Sequence, residues 1–184
     1  MKKLESSFKN MAIVLTLISV MAGGVLAWVN QVTEGPIAQI KEENLAKAIK
    51  AVLRADEVKV SQVETLDEGS IAYVTDKGMA IQTASTGFGG ELQVLVGFDE
   101  QGCIKGYSVL EHAETPGLGA KAGTWFQEGS KGNIIGRNPG DAPLTVSKDG
   151  GDVDAITAST ITSRAFLKAV NQAYELYKKN VEQK

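Results

Sequence analysis

The hydrophobic pattern divides the chain into four stretches. The first, Met11 to Val29, is an uncharged and largely apolar run of 19 positions. As a helix rising 1.5 Å per residue it would extend about 28 Å, close to the hydrocarbon thickness of a bilayer. Lys2, Lys3 and Lys9 precede it against one acid, Glu5, and Trp28 stands at its far end. The positive-inside rule then keeps the N-terminus cytoplasmic and exports the remainder, with the tryptophan at the far interface. Val25-Leu26-Ala27 would also pass as a signal-peptide cleavage site. The run is longer than the ~7–15 residues of a typical signal core, which favours a retained anchor.

The second stretch carries Ile37, Ile40, Leu45, Ile49, Val52 and Leu53 as a rough helical stripe, with Lys41, Glu42, Glu43, Lys47 and Lys50 between them. Pro36 suits the first turn of such a helix. This predicts a stalk helix, ending near Arg54, that leads into a domain or packs on it. From Val58 to Leu110 the period moves toward two, and short strands are predicted at 58–62, 71–74, 79–83, 92–98 and 103–110. Turn signals at Asp76-Lys77-Gly78, Gly87 to Gly90 and Asp99 to Gly102 make them an antiparallel meander. In the fourth stretch Phe166, Val170, Tyr174 and Tyr177 recur at spacings of four, four and three, one face of a helix running to about Lys179. The predicted class is α+β: a single-pass N-terminal transmembrane helix, then one exported domain with a small antiparallel sheet and flanking helices. The expected divisions are a cytoplasmic 1–10, a membrane span 11–29, a stalk helix 30–56 and a domain 57–184.

Charge and cysteine content narrow the partners. Three of the 19 basic and one of the 22 acidic side chains precede residue 31, leaving 16 and 21, a net charge of −5 on the exported part. That balance, with no basic stripe and no interleaving of basic and aromatic residues, argues against nucleic acid. Cys103 is the one cysteine, so an intramolecular disulfide, a CxxC redox pair and a cysteine-rich metal site are all excluded.

Four segments offer candidate chemistry. Gly87, Gly89 and Gly90 fit neither phosphate-binding glycine spacing and precede a hairpin, so they read as a turn with close backbone approach. Glu111-His112-Ala-Glu114-Thr115-Pro116-Gly117-Leu118-Gly119 holds the one histidine. Beside two carboxylates it could ligate a metal or act as a base, or the segment could be a polar loop with a Pro-Gly turn. Trp125-Phe126 reads as core or turn packing. Asp154-Ala-Ile-Thr157-Ala158-Ser159-Thr160-Ile-Thr162-Ser163 places five hydroxyls at or just before the last helix, either as an ordinary N-cap or where free N–H groups and the macrodipole favour a phosphate.

Gly87 to Gly97, His112 to Gly119 and Asp154 to Ser163, in this order behind an N-terminal anchor, resemble the FMN-binding domain family. The nearest resemblance is to the G subunits of Rnf-type ion-translocating electron-transport complexes. The C subunits of sodium-pumping NADH:quinone reductases are similar but longer. The last segment resembles the family's flavinylation motif, D-x-x-[ST]-G-A-T, with Ala158-Ser159 where the family usually has Gly-Ala. The resemblance implies FMN held covalently by a phosphoester bond to Thr160, attached by a flavin transferase. Asp154, Thr157, Ala158, Ser159 and Thr162 would surround it, with Ser163 in the same pattern. His112, Glu114, Thr115, Pro116, Gly117, Leu118 and Gly119 would form a loop beside the ring. Gly117 and Gly119 would allow close approach, Leu118 an apolar contact, and His112 and Glu114 either flavin tuning or loop holding. The implied function is an electron carrier, without independent catalysis, in a bacterial inner-membrane complex that links ferredoxin and NAD to ion movement. Its partners would be the other subunits and the bilayer. Two other functions are weighed: a non-flavinylated binding or assembly module, and a metal-dependent hydrolase around His112.

Overall fold

The computed structural model describes residues 8–182. Lys2, Lys3 and Glu5, on which the expected orientation leans, lie outside the described residues. Helix α1 spans Phe8–Leu53 without interruption, Pro36 included. The expected new start at Pro36 is therefore corrected: anchor and stalk form one helix. Proline's fixed φ is helical, and its ring removes a single backbone hydrogen bond. Thr33, one turn earlier, turns its hydroxyl back onto the carbonyls of Val29 and Asn30.

The chain divides into two compact units between Glu43 and Asn44. Helix α1 is long and apolar enough to cross a membrane, and none of its most apolar stretch is buried. The stripe predicted for the stalk splits at the same place. Ile37 and Ile40 are exposed, whereas Ile49, Val52 and Leu53 are buried in the second unit. Arg54 ends the helix in the left-handed region (φ 52°). The Ala55 amide reaches back to the Lys50 carbonyl at 3.1 Å, as in a Schellman cap.

The second unit is built on a five-stranded antiparallel sheet in sequential order: β1 (Val60–Thr65), β2 (Ile71–Thr75), β3 (Gly78–Thr86), β4 (Glu91–Phe98) and β5 (Ile104–His112). The strands agree with the alternation to within a few residues, although β5 runs on to include Glu111 and His112. Both faces of the sheet are covered. On one side the last turns of α1 (Ala48, Ile49, Val52, Leu53) pack on Tyr73, Ala80 and Leu95. Gly97 and Gly106 are cross-strand partners beneath them. A Cβ at either would lie 2.5 or 2.8 Å from the Val52 carbonyl oxygen, so the helix can rest on the strands only because both are glycine.

The other face carries the main core and α3 (Thr160–Glu182). Ala165, Ala169 and Ala173 recur every four residues along α3 and are all buried. Small side chains there let the helix come close enough for Thr83 and Ser85 of β3 to donate to the Ala169 and Ala165 carbonyls at 2.9 and 2.8 Å. Phe166 stacks on Phe126 at 4.3 Å and meets Tyr107 edge-on at 4.8 Å. Each such pair contributes roughly 0.5–1.5 kcal/mol beyond its buried area. Trp125 ends the one-turn helix α2 (Ala122–Trp125) and donates from its indole nitrogen to the Asp154 carbonyl at 2.8 Å. The aromatic pair is thus core and loop packing.

Candidate functional site

Three segments far apart in sequence meet at one end of the sheet. The register pairs Leu92 with His112, which sets the Gly87–Gly90 turn beside residues 113 and 114. The turn is closed by Gly87 N–H to the Gly90 carbonyl at 2.7 Å. Its next two amides, Phe88 and Gly89, donate to one oxygen of Glu114 at 2.7 and 3.3 Å. The Thr162 hydroxyl, in the first turn of α3, donates to the other carboxylate oxygen at 2.8 Å. Glu114 is only 6% exposed. The cradle of amides that a glycine-rich turn could offer a phosphate is here filled by the protein's own carboxylate. Of the two roles left open for Glu114, holding the loop is the one its hydrogen bonds describe.

The hydroxyl-rich segment is shaped by its own bonds. Ser159 N–H reaches the Ile156 carbonyl at 3.0 Å, closing a turn whose third residue, Ala158, has φ 61°. A left-handed third residue is what a type II turn requires and is why glycine suits this position. Ser163 fixes the turn from the helix side, accepting from Ile156 N–H at 2.9 Å and donating to the Ser159 carbonyl at 3.0 Å. Thr160 is then the first residue of the 23-residue α3. Free N–H groups and the positive end of the helix dipole lie there.

A pocket of about 410 Å³ opens between these segments, lined by Phe88, Glu114, Thr115, Leu118, Gly119, Ala158, Ser159, Thr160, Ile161 and Thr162. Eight of the fourteen candidate residues are among them. His112, Pro116, Gly117, Asp154, Thr157 and Ser163 are not. The exposed His112 accepts from the Glu114 amide through Nδ1 at 3.3 Å. Gly117 takes φ 78° in open space, so its glycine answers to the turn. Gly119 has no room for a Cβ because the Glu114 carboxylate and Thr162 hydroxyl fill that space, so its smallness serves packing inside the loop. Asp154 Oδ1 accepts from the Ser147 hydroxyl at 3.5 Å. Among the described residues no group of three or more His, Cys, Asp or Glu is placed to hold a metal ion.

Three neighbours were not singled out from the sequence. Phe88 is 70% exposed and Ile161 52%, and with Leu118 they give the pocket an apolar mouth. An aromatic between glycines in a turn has no core to fill, which is the signal that could have found Phe88. Lys148, in a 3-10 turn at Ser147–Asp149, donates to Thr160 Oγ1 at 3.2 Å. Nothing in the motif points to it.

Residues 87–175 match the family described as FMN-binding domain, a span that includes every residue lining the pocket. By that match, the part of the chain that builds the site is similar to a flavin-mononucleotide-binding domain. The residues fit that group: an apolar mouth suits a flat ring, and a helix start with a lysine beside it suits a phosphate. Three proteins, each named as the G subunit of an ion-translocating oxidoreductase complex, align with the chain over most of their length. That of Cereibacter sphaeroides is 35% identical over 182 residues, 90% of this chain and 82% of the relative. That of Pseudomonas aeruginosa is 34% identical over 191 residues, 93% and 89%. That of Escherichia coli K12 is 34% identical over 180 residues, 88% and 86%. The chain belongs to this family of G subunits.

Proposed function

We propose that this chain is the electron-carrier subunit of a membrane-bound, ion-translocating oxidoreductase complex, and that it holds FMN through a phosphoester bond to Thr160. The observation that carries the attachment is the position of the Thr160 hydroxyl: it borders the pocket, opens α3 and has an ammonium 3.2 Å away. Thr160 Oγ1 would hold the FMN phosphate as a phosphoester, taken from an activated donor, chemically a flavin dinucleotide, with loss of a nucleoside monophosphate and of the hydroxyl proton.

Bound FMN supplies reversible electron transfer, which none of the side chains provides. The chain's residues bind and orient. Phe88, Leu118 and Ile161 cover apolar surface and exclude water from it. The first turn of α3 stabilises the phosphate charge, and Glu114 keeps the two loops and α3 in register around it. No proton transfer by a side chain is required, so the site acts by position and electrostatics.

The rest of the assignment follows the family. The other subunits of the complex, which links ferredoxin and NAD to ion movement, are the partners. The span at 11–29 sits in the bacterial inner membrane with residues 1–10 cytoplasmic and the flavin domain, 57–184, outside. The stalk at 30–56 is set off from the span by the bilayer surface and not by a break in the helix, since α1 is continuous. Coexpression with a flavin transferase, followed by full denaturation and electrophoresis, tests the attachment. Wild type should give a fluorescent flavin band and Thr160→Ala a dark one. A dark wild-type band beside an active transferase would leave a non-flavinylated binding module.

A further inference from the structure

The loop before the flavin motif ends in a built feature. Val146 and Val153 form a parallel bridge, and the 3-10 turn Ser147–Asp149 lies between them. Asp149 takes both of its carboxylate oxygens to Arg164, which donates from Nε and Nη2 at 2.6 Å each. Arg164 stands one turn into α3, so this fork fixes the 3-10 turn against the start of the helix. The guanidinium holds the Asp149 carboxyl below its ordinary range, first through the hydrogen bond and then through charge. Asp152, further along the loop, is paired with Arg137 at 2.7 Å.

Lys148 is the residue this brace delivers. Its neighbours Asp149 and Asp152 each pair with an arginine; its own ammonium acts on Asp149 by charge alone and donates to a neutral hydroxyl, Thr160 Oγ1, at 3.2 Å. The helix N-terminus beside it carries partial positive charge, so the helix itself offers that ammonium no favourable partner. An anion on Thr160 would supply one. A phosphodiester carries one negative charge at neutral pH, and an ammonium is a suitable point-charge partner for it.

We infer that Lys148 is the positioning residue for the phosphate on Thr160, and that the Asp149–Arg164 fork holds it there. The inference rests on the attachment reading above. In the unmodified chain Lys148 fixes the Thr160 side chain and draws the donor's phosphate to it. In the modified chain it pairs with the phosphodiester. An exposed pair of this kind acts over a short range and is screened by salt.

The test follows flavinylation of the detergent-solubilised full chain by purified transferase and flavin dinucleotide, read by intact mass against time. Lys148→Ala should slow labelling roughly five- to ten-fold at low ionic strength, the range between an exposed ion pair and a hydrogen bond to a charged group. Lys148→Glu should be slower still, and Lys148→Arg should recover most of the rate. The deficit of the alanine variant should shrink as salt rises. Arg164→Gln, which loosens the fork and keeps Lys148, should fall between wild type and Lys148→Ala. Thermal melts of each variant separate these effects from unfolding. Wild-type rates for both Lys148→Ala and Lys148→Glu would overturn the inference while leaving the attachment intact. So would a deficit that neither arginine nor salt alters, since that would mark a merely structural role. An unlabelled wild type would overturn the attachment and this inference with it.

Discussion

Replacing Glu114 by alanine removes the side chain that ties three segments together. Its oxygens accept from Phe88 N–H at 2.7 Å, Gly89 N–H at 3.3 Å and the Thr162 hydroxyl at 2.8 Å. The group is almost fully buried. Two short hydrogen bonds to a carboxylate are worth about 1.5 kcal/mol each or more, and the third, longer bond adds less. The donors left behind lose their partner in a buried place, so about 3–4 kcal/mol is expected for Glu114→Ala. That is a large part of the ~5–15 kcal/mol that holds an ordinary domain. At about 3–5 °C per kcal/mol for a domain of this size, the melting temperature should fall by roughly 9–20 °C. Glu114→Gln keeps one acceptor oxygen for the turn amides and should lose only about 1–2 kcal/mol. The assay is thermal melting of the solubilised full chain, followed by tryptophan fluorescence. A Glu114→Ala melt within about 2 °C of wild type would refute the reasoning. A glutamine variant that melts normally but shifts the flavin potential would return Glu114 to a tuning role.

Other outcomes follow from the same geometry. Ala158→Gly should stabilise the domain by about 0.5–1 kcal/mol, because Ala158 sits at φ 61° where glycine has no steric penalty; chemical or thermal melts check it. Gly97→Ala should lose about 1–3 kcal/mol by pushing the last turn of α1 off the sheet, seen as a lower melting temperature and faster hydrogen exchange at residues 48–53. Burial raises the Tyr107 phenol above its ordinary range. Its hydroxyl donates to the Ala122 carbonyl at 2.9 Å and accepts from Phe126 N–H at 3.1 Å. The unfolded chain therefore loses this proton first, so stability is intact below about pH 10 and falls as pH rises toward the folded value. Tyr107→Phe should be less stable at neutral pH and should lose that part of the alkaline decline, as followed by melts across pH 8–11, a range set around the ordinary tyrosine value of about 10.

Much of the frame is legible in periodicity. Alternation marks β2, β3, β4 and β5, and the four-four-three stripe marks the buried face of α3, with Phe166, Val170 and Tyr177 buried. These signals work because burial is decided position by position against a nearby face. The site is less legible, because its bonds cross long separations. Glu114 is read from sequence as part of a loop, yet its partners lie 26, 25 and 48 residues away. Lys148 sits 12 residues before Thr160 on a turn that the Asp149–Arg164 fork ties to the helix. Pro36 misled for the opposite reason: its local preference for a helix start is real, but one lost bond does not end a helix that continues on both sides. Ala158 shows a motif explained only by its backbone, since the glycine usual at this position answers to a left-handed turn residue.

The central claim is that Thr160 carries the flavin, and site-resolved mass spectrometry tests it most directly. The chain would be coexpressed with a flavin transferase, digested, and the flavin-bearing peptide fragmented. The account predicts an increment of one FMN less water, with fragment ions that place it on Thr160. An increment on Thr157, Ser159, Thr162 or Ser163, or none on any hydroxyl of this segment, would contradict it.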